Sequence, residues 1–272
     1  MDGFLEIMVA PLIACLILTG IHTYLGLHVV ERGVIFVDLA LAQMAALGAT
    51  VGFLFGFELH SLSGYLCSLA FALTGAAVFA LSRFRHQVVP QEAVIGVVYA
   101  VAGAGAILIL SRAPEGGEEL KALLVGHLLF VSWAEILKVL VLYSLVGIVH
   151  WLFREKFFRL TRDAEGAFDR GENVRAWDFL FYATFALVVT SSVELAGVLL
   201  VFCFLTVPSL CGILLASGVR GRLLVGWTTG FIASAVGMWV SYQGDLPTGA
   251  AVVCVLGAML ILTAGIRAVR GN

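Results

Sequence analysis

Charge is what this chain has least of. Only 12% of its 272 residues are Asp, Glu, Lys or Arg, while 61% are hydrophobic. A soluble domain carries roughly twice that charged share. The mean hydropathy of +1.05 leaves more apolar surface than one aqueous core can hide, which excludes a soluble globular domain. The apolar excess has to face lipid. A second scarcity is reactive sulfur. The five cysteines, Cys15, Cys67, Cys203, Cys211 and Cys254, are odd in number, sit in apolar runs and lack CxxC spacing. They read as small hydrophobes and not as a disulfide framework. No GxxxxGK[ST] loop is present, so the chain holds no ATP in a P-loop of its own. Neither HExxH, nor GxSxG, nor a DDxxD-like cluster occurs, which argues against an intramembrane enzyme. No basic region followed by a small-residue cleavage site opens the chain. Met1 to Glu6 lead straight into an apolar run, and no removed signal peptide is expected. The net charge of −2 names no partner, and no nucleic-acid partner is expected.

What is there is a series of long apolar runs. About 20 residues cross the hydrocarbon as a helix. Runs of that length fall at 6–29, 34–57, 62–82, 92–111, 129–153, 176–191, 197–217, 222–243 and 247–268. This predicts an all-α polytopic helix bundle with about nine transmembrane helices, eight or ten being the alternatives. The stretch 176–217 is too long for one crossing, and a break is expected between Ser191 and Gly197. The segment 121–132 reads as a short re-entrant piece or a loop. Arg32, Arg83, Arg85, the basic residues of 154–175, Arg220, Arg222, Arg267 and Arg270 fall at alternate ends of the runs. Asp2, Glu6, Glu58, Glu115, Glu118, Glu119 and Asp245 fall at the opposite ends, with Arg112 and Lys121 as exceptions. The positive-inside rule then places the N-terminus outside and the C-terminus in the cytoplasm, in a multi-pass plasma (inner) membrane protein. The whole of 1–272 reads as a single transmembrane domain. Its one long polar segment, 154–175, is expected to form one or two short amphipathic helices on the cytoplasmic face. Gly48, Gly52 and Gly56 recur every four residues, a stripe suited to close helix packing.

Asp38 is the residue that most needs a reason. It interrupts the apolar run from Val34 to Gly48, and a carboxylate in hydrocarbon costs roughly 2.5–3.5 kcal/mol on insertion scales. It either lines a substrate path as a metal ligand, or is held by a buried hydrogen bond or ion pair. Lying near the end of its run, it is within reach of a snorkelling pair with Arg32. Gln43, an amide, suits interhelical hydrogen bonding better than metal ligation. His22 and His28 lie six apart on one run and so on different faces. Imidazole suits zinc, copper, iron and nickel, but a lone histidine also serves as a packing residue. Glu194 is expected in the break before Gly197, as a vestibule carboxylate or a solvated loop residue. His127 is a further candidate ligand, with a structural role as the alternative. These donors form no dense cluster. A closed four-ligand site binding with ~10 kcal/mol or more would trap a cargo that has to leave.

Five separated segments together resemble the membrane permeases of zinc/manganese/iron-type ABC importers. They are Glu31-Arg32-Gly33 through Gly48; Glu92, Ile95, Gly96 and Tyr99; Leu123, Leu124, Gly126 and His127; Ala167, Asp169 and Gly171; and Gly197 through Pro208-Ser209. The resemblance covers about residues 10–265. It departs from the family pattern at two positions. Asp38 falls one position before the family aspartate, which here is Leu39, and Gln43 stands at the family histidine. One residue turns a helix by about 100°, so Asp38 faces elsewhere than the family carboxylate. Asp38 and Gln43, five apart, are not placed to share one ion on a regular helix. His127 replaces a family asparagine.

The resemblance implies an importer of divalent transition-metal ions, with no cofactor in this chain. It implies a cytoplasmic ATP-binding subunit that hydrolyses ATP, an extracytoplasmic metal-binding protein, and a second permease copy, all in a lipid bilayer. Glu58 and His60 would meet the binding protein. A coupling helix would fall within Asp163–Gly171, on Asp163, Glu165, Ala167, Asp169 and Gly171. The competing class is a stand-alone secondary transporter or a channel for a small cation. That class needs ionisable residues in several spans, and here only Asp38 is clearly intramembrane, with Glu135 and Lys138 near a span start.

Overall fold

The computed structural model describes residues 2–58, 61–85, 89–111 and 126–269, with side chains from Ile7 onward. In chain order the helices are α1 (Asp2–Arg32), α2 (Val37–Leu54), α3 (Leu62–Leu81), α4 (Gln91–Leu110), α5 (Trp133–Leu152), α6 (Arg154–Arg162), α7 (Ala164–Asp169), α8 (Val174–Ala196), α9 (Val198–Leu215), α10 (Val219–Gly244) and α11 (Thr248–Val269), with one 3₁₀ turn at Leu128–Phe130. Among the described residues, nine helices are long and apolar enough to cross a membrane, α6 and α7 being the short exceptions. The fold is an all-helical multi-pass bundle. The polar segment, expected to form one or two short helices, forms two. His60, Arg112, Glu115, Glu118, Glu119, Lys121, Leu123, Leu124 and Arg270 lie outside the described residues, and Asp2 and Glu6 precede the described side chains.

Local chemistry sets the helix ends. Ser61 accepts the Gly64 amide at 3.1 Å and opens α3. Ser132 and Glu135 form a reciprocal box at the start of α5, with Ser132 N donating to Glu135 Oε2 at 2.8 Å and Glu135 N to Ser132 Oγ at 3.3 Å, two otherwise orphaned amides satisfied together. Asp163 Oδ1 accepts from Gly166 N at 2.9 Å and starts α7, and Asn173 Oδ1 accepts from Ala176 N at 3.2 Å at the head of α8. Inside the spans, hydroxyls turn back to the preceding turn, Ser192 to Val188 O at 2.7 Å and Ser234 to Gly230 O at 2.7 Å among them. This is how a polar side chain is satisfied where no water is at hand.

The chain divides into two compact units. The first holds α1 up to Val30, the stretch 124–145 and everything from Glu194 on. Its helices approach over small residues: a side chain at Gly26 of α1 would overlap the Leu205 carbonyl of α9, and one at Gly226 of α10 would meet Thr23 and Pro208. Ser209 Oγ also donates to Thr23 O at 3.1 Å. Without a hydrophobic drive between helices in lipid, such close backbone approach is what packing energy requires. Gly126 and Gly197, with φ of +68° and +78°, face one another, and His127 N donates to Leu195 O at 3.2 Å. A Cβ on Gly126 would strike Ala196 and the Gly197 amide.

The second unit holds residues 31–123 and 146–193. Gly48 and Gly52 of α2 seat against Cys67, Ser68 and Phe71 of α3, and Gly75 of α3 seats against Leu41 and Met44. The third member of the predicted stripe departs: Gly56 lies beyond the end of α2 at φ +82°, with open space around it. It follows the helix end and takes no part in the stripe. In the same unit α6, α7 and the head of α8 share a small core of Leu160, Ala167 and Val174, covered by Phe168 and Trp177.

Candidate functional site

Asp38 sits in the first turn of α2 and is 2% exposed. Its Oδ1 has no hydrogen-bond partner among the described residues, and the backbone amides of Asp38 and Leu39 lie beside the carboxyl group. The snorkelling pair with Arg32 does not form, because Arg32 is held elsewhere. One buried carboxylate oxygen is thus left without a hydrogen bond among the described residues. Glu92, in the first turn of α4, accepts the Phe36 amide through Oε1 at 3.1 Å. That bond caps the start of α2, whose own N-cap residue Phe36 offers no side-chain acceptor. Gln43 is half-buried and lies on α2 against Gly103 of α4.

The two span-1 histidines are fully buried. His22 Nδ1 lies 2.8 Å from Leu18 O, and its ring meets Tyr143 edge-on at 6.2 Å. His28 meets Tyr24 edge-on at 5.0 Å. His127 Nε2 lies 3.1 Å from Glu135 Oε1 and so joins the box that opens α5. Glu194 departs from expectation. It belongs to the last turn of α8, half-buried, because the helix runs unbroken to Ala196 and turns only at Gly197. The serines at 191 and 192 do not break it, since their hydroxyls bond to carbonyls of the same helix. Among the described residues no three His, Cys, Asp or Glu side chains converge as a metal-holding group. The cysteines are free thiols; Cys15 and Cys211 are buried, and Cys254 is exposed on α11.

The polar segment is braced by charge. Glu172 meets Lys156, and also Arg170 at 3.0 Å and Arg159 at 3.3 Å. Its carboxyl is pushed down to about 2, first by Lys156 and then by Arg170. Asp163 is also lowered, by the Gly166 amide and then Arg170. Asp169 on α7 pairs with Arg85. Ala167 is buried, while Glu165 and Asp169 are exposed. Asp163, Glu165, Ala167, Asp169 and Gly171 therefore sit on one short capped helix and its closing turn.

The structure also contains a site that the reading of the sequence missed. Arg32 Nη1 lies 2.8 Å from Asp178 Oδ1, and Arg83 Nε lies 3.3 Å from Asp178 Oδ2. The second contact is an ion pair without a directed hydrogen bond. Arg32 Nε donates to Thr161 Oγ1 at 3.0 Å, and its guanidinium lies 4.1 Å over the Phe181 ring. Arg83 also reaches Gln91 Oε1 at 3.4 Å. The Arg32 and Asp178 side chains are 0% and 1% exposed. Two guanidinium groups against one carboxylate leave an excess positive charge, which the face of Phe181 offsets in part. A pair this deep is costly to break, because either partner alone is a buried bare charge. The sequence signal was slight: Asp178 is one carboxylate two residues into the run 176–191, with nothing in the one-dimensional pattern to tie it to Arg32 or Arg83.

Comparison with known proteins agrees with this architecture. The chain is 25% identical over 257 residues to the manganese transport system membrane protein MntC of Listeria innocua, covering 93% of this chain and 87% of that one. It is 21% identical over 259 residues to a probable iron transport system membrane protein of Haemophilus influenzae, covering 95% and 89%. Its fold matches a chain of PsaBC from Streptococcus pneumoniae, solved in complex with Fab, with a TM-score of 0.78 at 18% identity over 96% and 94% of the two chains. The model of the ABC 3 transport family matches residues 4–267. Nine apolar helices and two short polar ones among the described residues, with a family match over nearly the whole length, place this chain in the ABC 3 transport family.

Proposed function

We propose that this chain is the membrane permease of an ATP-driven uptake system whose cargo is a divalent transition-metal ion. Manganese and iron stand ahead of zinc, because relatives at 25% and 21% identity carry manganese and iron in their names. The observation that carries the reading is the family match over residues 4–267, on a chain with nine candidate spans among its described residues. ATP hydrolysis belongs to a separate cytoplasmic subunit. An extracytoplasmic metal-binding protein delivers the ion, and a second copy of the permease completes the path. The basic residues support an N-terminus outside and a C-terminus in the cytoplasm.

In this reading Asp38 is the path carboxylate, supported by its burial and its unpartnered Oδ1. A second copy brings a second Asp38, so that two weak oxygen donors hold the ion without trapping it. Hard carboxylate oxygens suit manganese better than zinc. Gln43, His22, His28, Glu194 and His127 are secondary path candidates. Of these His127 is the weakest, being engaged with Glu135. The short helix α7 is the coupling helix that docks the ATPase, supported by its capped, charge-braced frame and by the exposure of Glu165 and Asp169. ATP binding closes the ATPase pair and shifts the permeases between outward and inward states, the ion favouring one of them.

The test is metal uptake by the assembled complex in liposomes. Manganese(II) or iron(II) is expected to enter only with ATP, and Asp38→Ala is expected to lower uptake about tenfold or more, the effect of removing a required charged contact. Unchanged uptake by Asp38→Ala makes Asp38 structural. Failure of the ATPase subunit to co-elute with the wild-type chain defeats the importer reading itself.

A further inference from the structure

A coupling helix is useful only if its displacement reaches the membrane spans, and the inference here rests on the importer reading. Apolar packing transmits strain, but the hydrophobic effect behind it is non-directional. Directed, charge-assisted bonds in a dry site hold geometry, because no water stands by to replace a broken one. The second unit contains a chain of such bonds joined at one link by an undirected buried ion pair, Arg83–Asp178. Thr161 lies on α6, two residues before Asp163, and its hydroxyl accepts from Arg32 Nε at 3.0 Å. Arg32 ends α1 and holds Asp178 of α8 at 2.8 Å. Asp178 holds Arg83, just past α3, at 3.3 Å. Arg83 reaches Gln91, the first residue of α4, at 3.4 Å, and Gln91 donates back to Phe79 O of α3 at 2.9 Å. The three charged side chains are 7% exposed or less.

We propose that Arg32, Asp178 and Arg83 are positioning residues that carry the movement of the α6–α7 segment into α1, α3, α4 and α8, with Thr161 as the point of entry. None of them touches the cargo. Their role is to make the spans follow the docked ATPase.

The experiment uses the complete complex, with ATPase and binding protein, in liposomes, and reads manganese(II) or iron(II) uptake and ATP hydrolysis in the same sample. Thr161→Val keeps the shape, removes the acceptor and leaves the Arg32–Asp178–Arg83 pairs in place. Ions moved per ATP are expected to fall about fivefold while hydrolysis stays within about twofold of wild type, a loss of the size such couplings span. Thr161→Ser is expected to restore the ratio. Asp178→Asn is expected to act in the same direction, and where it fails to assemble, Thr161→Val decides. An unchanged ratio in Thr161→Val, or uptake and hydrolysis falling in parallel, overturns the proposal. A wild-type complex that moves neither metal overturns the importer reading and this one with it, and is recognised because the wild type itself fails.

Discussion

Arg32 and Asp38 are six residues apart and of opposite charge, and they do not pair. Arg32 takes Asp178, 146 positions away, and Asp38 keeps an oxygen without a partner. The difference between the two acids is their company. Asp178 has two guanidinium groups beside it, whereas Asp38 has the amides at the start of its own helix and, as a like charge, the Glu92 carboxylate. Asp178→Ala is expected to destabilise the chain by about 3–5 kcal/mol, since it strands two buried cations; thermal unfolding of the purified chain measures it. Glu135→Ala is expected to cost only about 1 kcal/mol, the usual worth of a helix cap. The candidate residues were legible as residue types, because a carboxylate or imidazole in an apolar run is visible in one dimension. Their roles were not, because His127 takes its role from the box that opens α5 and Glu194 from a helix that runs on to Ala196.

Among elements, the spans were readable because twenty apolar residues have one stable solution in lipid, a helix with its backbone bonds satisfied internally. The boundary between α8 and α9 was readable only in part. Ser191 and Ser192 look like helix breakers in water, yet in the bundle their hydroxyls bond within α8, and Gly197 alone makes the turn. Gly126→Ala, which forces a Cβ into Ala196 and Gly197 at φ +68°, is expected to cost about 2–4 kcal/mol from strain and overpacking. Gly20→Ala, with open space around it, is the control and is expected to be neutral or slightly stabilising. The α6–α7 segment responds to pH through Glu172. Its folded pKa of about 2 lies below the unfolded value of about 4.3. Its contribution is therefore complete above the ordinary carboxylate range and is lost as pH falls from there toward about 2. Midpoints of thermal unfolding between pH 7 and pH 3 are expected to hold level and then drop, and Glu172→Gln is expected to show the smaller drop.

At the scale of the whole molecule, the nine-span count makes a strict demand on orientation. The ends of α1, α3, α5, α9 and α11 and the starts of α2, α4, α8 and α10 must share one side of the membrane. Arg32, Arg83, Arg85, Arg154, Arg175, Arg220, Arg222 and Arg267 all fall at those ends. The proposed topology follows from that agreement. With the native cysteines replaced, Glu58→Cys is expected to react with an impermeant maleimide in intact cells, and Arg85→Cys only after permeabilisation. The reverse pattern inverts the topology and removes α7 from reach of a cytoplasmic ATPase. The division of the chain into two units, with boundaries inside α1, α5 and α8, was not legible, since no change of composition marks a boundary that falls within a continuous apolar helix.

By itself the sequence determined the solvent, a count of about nine crossings with eight or ten open, and the place of the polar segment. Each is a sum over local properties, apolar length and charge at run ends, that lipid and water read independently of the rest of the chain. Only the tertiary structure decided which buried charges are satisfied. Pairing in a dry interior depends on which helix ends meet, and Arg32, Arg83, Asp178 and Thr161 come from four separate stretches. That meeting leaves Asp38, the costliest single residue in the sequence, buried with one carboxylate oxygen still unpartnered.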